Sequence, residues 1–421
     1  KETTTKKIFN VYKRKIKNKI FIFMLVILFC LQTCTLAVQP SITAKGAILV
    51  ETSTGRILYE KSSTRQMYPA STTKIMTAIL VIENCDLSDI VTVSETALSN
   101  IPTGYVTCDI QVGEEISVKD LLYALMVKSA NDAAYVLAEH VAGTIDNFSS
   151  MMNAKAKEIG CKETNFVNPN GIHSQRHYSS AYDLYLMAQY GMKNETFRNL
   201  VSTTSYTLPA TNKHSEADRS FTTTNELINP NSGDNFYSNA IGIKTGFTSQ
   251  AGNCLVAESS RDGLDFIAVV LNAEDSKSRY TDCKTLFDYA YDNFTLTKIK
   301  EKNTLIDTIE IENGTKETKN LDLLIDETIT VINNKSIDMN QIIPEINLNE
   351  NLTAPISSGD IVGSIKYKVD DIEYSANILA GSDVIPQTDF SIFILISGIL
   401  LLLIAISILG KKKTKKRKKR K

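Results

Sequence analysis

The sequence predicts an α/β body of roughly 250 residues followed by a small all-β domain. Two patterns carry this reading. Strand-like stretches sit at both ends of the body with helical periodicity between them, and after Phe294 the pattern shifts to strand-style alternation with turn residues. At the front, Gly46–Val50 and Arg56–Tyr59 read as strands around the turn Thr52-Ser53-Thr54-Gly55. An apolar helix follows, starting near Ser71 and running through Ile82. Residues 117–160 are helix-rich, with Leu121, Leu122, Leu125 and Met126 at helical spacing, and Asp183–Tyr190 is a further helix. Ala240–Lys244, Asn253–Ala257 and Asp265–Leu271 return as strands, and Arg279–Phe294 closes the body as a helix. Beyond it, Leu305–Ile311, Thr328–Ile332, Ile361–Val369 and Glu373–Leu379 read as strands, with Asn313-Gly314 as a turn.

The termini are of another kind. The chain has 421 residues and a formal charge of −1, but the charge is unevenly spread. Residues 1–38 carry eight Lys/Arg against Glu2, and Lys411–Lys421 holds ten basic residues and no acid, so the body between them is strongly acidic. That excludes a nucleic-acid binder with one basic face. The apolar run Ile20–Leu31 behind Lys13, Arg14, Lys15, Lys17 and Lys19 reads as a secretory signal cleaved after Ala37, with an uncleaved anchor as the alternative. A lipoprotein box at Leu31-Gln32-Thr33-Cys34 is faint, because Thr33 is larger than the residue wanted before the cysteine. Phe390–Gly410 is uncharged and apolar for about 20 residues, a transmembrane length, and the basic tail behind it belongs on the cytoplasmic side against the lipid surface. The expected layout is a signal at 1–37, the body at 38–295, the β domain at 296–386, the span at 390–410 and the tail at 411–421. Everything between signal and span lies outside the cytoplasmic membrane.

Beyond Cys30 and Cys34 of the signal, Cys85, Cys108, Cys161, Cys254 and Cys283 are odd in number and scattered, so they form no disulfide framework. There is no C-x-x-C and no H-E-x-x-H, and His173 and His177 follow the loop Asn168-Pro169-Asn170-Gly171. No metal site and no cofactor is expected.

Three short motifs carry the chemistry. In Ser71-Thr72-Thr73-Lys74 the spacing places a lysine ammonium beside a serine hydroxyl on one helical face, although alone Ser71 reads equally as a helix cap. Ser129-Ala130-Asn131 interrupts two apolar helical stretches with side chains suited to a cleft. Lys244-Thr245-Gly246 sets a cation and a hydroxyl at a strand edge, with a glycine that permits close backbone approach. In this order, S-x-x-K, S-x-N and K-T-G are the signature shared by penicillin-binding proteins and serine β-lactamases.

Across about residues 40–295 the chain resembles the low-molecular-mass penicillin-binding proteins that are D-alanyl-D-alanine carboxypeptidases. Supporting stretches are Thr54-Gly55-Arg56, Ser129-Ala130-Asn131-Asp132-Ala133-Ala134, Asn165-Phe166-Val167-Asn168-Pro169-Asn170-Gly171 and Lys244-Thr245-Gly246-Phe247-Thr248. The β domain is similar to the family's C-terminal domain more loosely, at Ala354-Pro355 and Gly359-Asp360-Ile361-Val362-Gly363. The resemblance implies a β-lactamase/transpeptidase-like domain, an antiparallel sheet flanked by helices with a helical subdomain. It further implies that peptidoglycan pentapeptide stems are the substrate and β-lactams covalent inhibitors, with the enzyme held in a bacterial cell membrane.

The resemblance assigns roles as well. Ser71 is the nucleophile that forms an acyl-enzyme, and Lys74 the base, provided that burial and the nearby charge of Lys244 keep it neutral. Ser129 relays a proton to the leaving amine, and Asn131 binds the substrate amide and orients Lys74. The backbone N–H groups of Ser71 and Phe247 form the oxyanion hole. Lys244 and Thr245, followed by Gly246, hold the terminal carboxylate, and Arg279 falls where the family often has an arginine near it. A Ser-His-Asp triad is disfavoured, because no G-x-S-x-G surrounds any serine. The rivals are a β-lactamase, a crosslink endopeptidase and a non-catalytic wall-binding or β-lactam receptor protein. Against the first, the second motif is Ser-Ala-Asn and Glu163 is followed four residues later by Val167 instead of Asn.

Overall fold

The computed structural model describes residues 39–99, 101–370, 372–387 and 395–408. The expected signal at 1–37 and the basic tail at 411–421 lie outside the described residues. Strands β1 (Gly46–Glu51) and β2 (Ile57–Lys61) pair antiparallel around the anticipated turn. Glu51 fixes that turn by accepting from the Ser53 and Thr54 amides at 2.9 and 2.8 Å.

A 3₁₀ turn, Ala70–Thr73, then leads directly into α1 (Lys74–Asn84). β3 (Ile90–Thr92), α2 (Glu95–Ser99), β4 (Glu115–Ser117) and α3 (Val118–Tyr123) follow, and β3 pairs with β4. A π-helical turn, Ala124–Lys128, precedes α4 (Asn131–Ala142) and α5 (Ile145–Ile159). Next come α6 (Ala181–Met192), α7 (Glu195–Ser202) and the small hairpin β5 (Ser205–Thr207) with β6 (Ser220–Thr222). The body closes with β7 (Ala240–Thr248), β8 (Gly252–Arg261), β9 (Leu264–Ala273) and α8 (Ser278–Asn293).

The main sheet is antiparallel with order β2-β1-β9-β8-β7, so the two chain ends of the body meet in one sheet. Both of its faces are buried, and the strands show why. Along β9, Phe266, Ala268 and Val270 pack with Tyr280, Leu286 and Phe287 of α8, whereas Ile267, Val269 and Leu271 join the core of the helical half. Each such large apolar side chain removed from water contributes about 1.5–3 kcal/mol. Helix α1 crosses the middle of the helical half and is buried from Lys74 through Val81, which explains a sequence apolar on nearly every face.

The β domain begins without a linker. β10 (Phe294–Lys300) continues straight from α8, so the boundary expected at 295/296 falls inside a strand that pairs with β13 (Ile329–Asn334). The remaining strands, β11 (Leu305–Glu310), β12 (Asn320–Ile325), β14 (Glu345–Leu348), β15 (Ile361–Val369) and β16 (Ile372–Ala380), form a sheet of order β11-β12-β16-β15-β14. Arg56 latches the two domains, with Nη2 2.7 Å from Asp370 Oδ2 and its guanidinium 5.3 Å from the Phe294 ring centre.

The expected membrane span is only partly described. Residues 395–408 are helical with exposed apolar side chains, and 390–394 and 409–410 lie outside the described residues. Fourteen helical residues reach roughly 21 Å. Among the described residues no helix is long and apolar enough to cross a membrane.

Candidate active site

The three motifs converge on one cleft between the end of the sheet and the helical half. Ser71 lies in the 3₁₀ turn, preceded by Ala70 at φ +48, a conformation that costs a non-glycine residue energy. Two glycines permit this turn. A Cβ on Gly171, which has φ +87, would lie 1.8 Å from the Ala70 carbonyl oxygen, and one on Gly246 would lie 2.9 Å from the Pro69 carbonyl oxygen. The K-T-G strand β7 is the edge of the main sheet, and Gly246 brings it against the Ser71 amide, 3.1 Å from where its Cβ would stand. Ser129, at φ +64, ends the π turn, and Asn131 starts α4.

Lys74 is wholly buried, and its Nζ has three partners: Ser71 Oγ at 3.0 Å, Asn131 Oδ1 at 2.9 Å and the Asn170 carbonyl at 2.9 Å. Two of these can only accept. Asn131 Nδ2 donates to the Val106 carbonyl at 2.9 Å, which fixes its Oδ1 toward the lysine. A neutral amine has two hydrogens and one lone pair, so the two carbonyl-type oxygens take the hydrogens and the lone pair is left for the Ser71 hydroxyl. Burial, and after it the charge of Lys244, hold Lys74 well below its ordinary value, and Asp132 opposes them. Asp132 is itself pushed up by burial while accepting from the Cys108 and Ala133 amides at 2.9 Å each.

The side expected to receive a carboxylate differs from the sequence reading in one respect. Lys244 is 1% exposed and lines neither lobe of the cleft; burial, with Arg279 second, lowers it to about 7. Its neighbours Thr245, Gly246 and Phe247 do line the cleft, together with Ser71, Ser129 and Arg279. Arg279 donates to the Gly246 carbonyl at 3.4 Å and to the Tyr280 hydroxyl at 3.1 Å, and its buried Nε has no partner. The cleft has two lobes that share Ser71, Val106, Ser129 and Phe247, one of about 750 Å³ toward Thr245 and Arg279, the other of about 420 Å³ toward Asn131 and Asn170.

Several contributors carry no signal in the motifs. Asn170 supplies a carbonyl to Lys74, and Pro169 accepts from Thr77 at 2.5 Å, so the 168–171 loop braces the start of α1. His177 accepts the Val167 amide at Nδ1, 3.2 Å away, so its Nε2–H donates to Thr73 Oγ1 at 2.8 Å. Burial and then His173 lower His177 to about 3, so it serves as a neutral strut. Thr224 Oγ1 pairs with Thr245 Oγ1 at 2.7 Å. Asn170 and His177 stand in or beside a loop visible in the sequence, but their partners are 96 and 104 residues away. Among the described residues no group of His, Cys, Asp and Glu is placed to hold a metal.

The profile described as "D-alanyl-D-alanine carboxypeptidase", Peptidase S11, matches residues 33–275, and that for "Penicillin-binding protein 5, C-terminal domain" matches 294–384. The D-alanyl-D-alanine carboxypeptidase DacF of Bacillus subtilis is 33% identical over 351 residues, spanning 82% of this chain and 85% of its own. The carboxypeptidase DacA of Haemophilus influenzae is 30% identical over 358 residues, covering 82% and 86%. In three dimensions, penicillin-binding protein 5 from Haemophilus influenzae superposes with a TM-score of 0.68 at 29% identity, over 82% of this chain and 98% of that one.

Proposed function

The chain belongs to the D-alanyl-D-alanine carboxypeptidase family, Peptidase S11, and from that premise we propose how its own residues divide the reaction. The activity is that of a serine-type D-alanyl-D-alanine carboxypeptidase, acting on peptidoglycan stems. Neutral Lys74 takes the Ser71 proton as Oγ attacks the penultimate D-alanine carbonyl. The Ser71 and Phe247 amides hold the oxyanion, a role supported by the close approach of Gly246 to the Ser71 amide. Ser129 relays the proton to the departing amine, the C–N bond breaks, and D-alanine leaves. Asn131 binds the substrate amide and orients Lys74. Thr245, positioned by Thr224, and Arg279 receive the terminal carboxylate, and Lys244 behind them adds positive field to that site and to Lys74. Water then attacks the ester and restores Ser71.

The observation that carries this reading is the set of three partners around Lys74, which leaves its lone pair to Ser71. The test is release of D-alanine from a peptide ending in D-Ala-D-Ala by the detergent-solubilised chain. Release should vanish in Ser71→Ala and be blocked by a slowly hydrolysed penicillin. Rapid β-lactam turnover without D-alanine release would overturn the assignment.

The finer placement belongs to the same proposal: a signal at 1–37, a catalytic domain at 38–295, a β domain at 296–386, a span at 390–410 and a cytoplasmic tail at 411–421. The supports are the described helix 395–408 within an uncharged apolar stretch and the ten basic residues beyond it. The β domain would then set the height of the cleft above the bilayer.

A further inference from the structure

The two lobes of the cleft differ in charge. The smaller is lined by neutral residues alone, including Tyr105, Asn131, Asn170 and Gln250. The larger, at about 750 Å³, is lined by hydroxyls of Ser205, Thr207, Ser220 and Thr222, by two cations, Arg279 and Lys128, and by no acid. It is far roomier than one alanine needs, in the range that accommodates a drug-sized ligand. Arg279 already donates to the Gly246 carbonyl and to the Ser276 and Tyr280 hydroxyls, and in the function proposed above it meets the α-carboxylate. Lys128 is different: it is half-buried, immediately precedes Ser129, and its ammonium has no hydrogen-bond or ion-pair partner among the described residues. Asp120, which accepts from the Tyr206 hydroxyl at 2.5 Å and from Ser117 Oγ, does not line the lobe and makes no ion pair with the lysine. Tyr206 in turn stacks on Tyr123 at 4.0 Å, which fixes that side of the lobe. The Thr224 amide, donating to the Val127 carbonyl at 3.2 Å, ties the wall carrying Lys128 to the one carrying Thr245.

Taking the carboxylate side of the cleft to be the leaving-group side, as in the function proposed above, we propose that Lys128 is a specificity-determining residue. It fits the larger lobe to a terminal D-residue that bears an anionic side chain as well as its α-carboxylate, the class represented by D-glutamate. The α-carboxylate occupies the Thr245 and Arg279 end, the methyl of D-alanine leaves the rest of the lobe empty, and a second carboxylate reaches the free ammonium. The chemistry is unchanged. The Ser71 Oγ–acyl bond forms, the C–N bond breaks, the hydroxyl proton ends on the departing amine of the acidic D-residue, and water regenerates the serine. A half-buried charge pair of this kind is expected to give about a three- to fivefold preference.

The experiment compares peptides with one acyl part and different ends, D-Ala-D-Ala, D-Ala-D-Glu, D-Ala-D-Gln and D-Ala-D-Lys, on the full chain. Each released D-residue is quantified, and kcat/KM for D-Glu is divided by that for D-Gln. These residues are matched in size, and a ratio within one enzyme cancels the amount of folded protein. The expected ratio is about three to five in the native enzyme and about one in Lys128→Gln, with D-Lys overtaking D-Glu in Lys128→Glu. A native ratio of one or less, no release of D-Glu, or a ratio that survives in Lys128→Gln would overturn the inference while D-alanine release upheld the carboxypeptidase. Absence of D-alanine release from the parent peptide would overturn both.

Discussion

The catalytic body and the β domain share antiparallel sheets and apolar alternation, yet they fill their interiors differently. Among the described residues, every buried polar or charged side chain except Asn333 lies at or before Asp282, and Lys74, Lys244, Asn131, Asp132 and Asn170 all belong to the cleft or its rear wall. The β-domain core is Leu321, Leu323, Ile325, Val331, Ile365, Ile378 and their apolar neighbours. Burying an ammonium opposes folding, because water solvates the charge better than a protein interior does. The body carries two such lysines within reach of each other's charge, and the same burial that destabilises their charged forms favours the neutral amine of Lys74. The contrast shows that the body, unlike the β domain, gives up stability to bury charge, and at Lys74 it does so beside the Ser71 hydroxyl.

The comparison can be broken most sharply at the two cores. Lys74→Met should reduce the acylation rate by at least about 10³-fold, measured by covalent β-lactam labelling, with a thermal midpoint no lower than that of the parent. Ile378→Ala, in the β-domain core, should do the reverse: about 2–5 kcal/mol of stability lost, with acylation per folded molecule unchanged.

The glycines give a second pair. Gly171→Ala sets a methyl against the Ala70 carbonyl and should lower acylation about 10²-fold while destabilising the body by more than 2 kcal/mol. Gly359→Ala, with φ +90 but nothing within 4 Å, should cost about 1 kcal/mol from backbone conformation alone and leave acylation intact. Comparable losses in the two variants would show that the Ser71 turn is not the tighter site.

Lys244 sharpens the contrast through pH. It titrates near 7 in the fold against an ordinary 10.5. Below pH 7 both folded and unfolded chains hold the proton, and the folded state bears the full cost of the buried charge. Between 7 and 10.5 the unfolded chain binds more protons, so stability rises with pH as that cost is relieved. Lys244→Met should therefore stabilise the fold by about 1–3 kcal/mol at and below pH 7, with the gain shrinking toward pH 10.5, while carboxypeptidase activity falls. The smallest effect on acylation is expected at the latch. Arg56→Ala, which breaks a largely buried ion pair and a bond to the Ile332 carbonyl, should lose about 1–3 kcal/mol and, in calorimetry, separate the unfolding of the two domains without changing acylation.

Much of this was legible in the sequence where chemistry and periodicity are local. The pairing of Ser71 with Lys74 three residues on, the polar break at Ser129, and the β1–β2 turn all follow from short spacings, and the structure has each. Strands β12 and β14 are less legible for different reasons: β12 has six residues, as many as β11 and β13, but its alternation is blurred by the run Leu323-Leu324-Ile325, whereas β14 has four and is an exposed edge strand whose Ile346 and Leu348 remain partly open to water. The burial of Lys244 was not legible either. Its motif suggests a side chain that reaches the substrate, but its position behind the cleft depends on β7, Arg279 and α1 meeting in three dimensions. Asn170 and Thr224 were hidden for the same reason, since each acts on a motif residue through a loop whose path the sequence does not specify.

The most direct test of the central claim, that a buried neutral Lys74 activates Ser71, is the pH dependence of the acylation rate of the full chain by a slowly hydrolysed penicillin. The rate should rise with pH through an apparent pKa far below the ordinary 10.5 of a lysine, and Lys74→Arg, which cannot become neutral, should stay at background throughout. A flat profile that persists in Lys74→Arg with more than a tenth of the parent rate would contradict it.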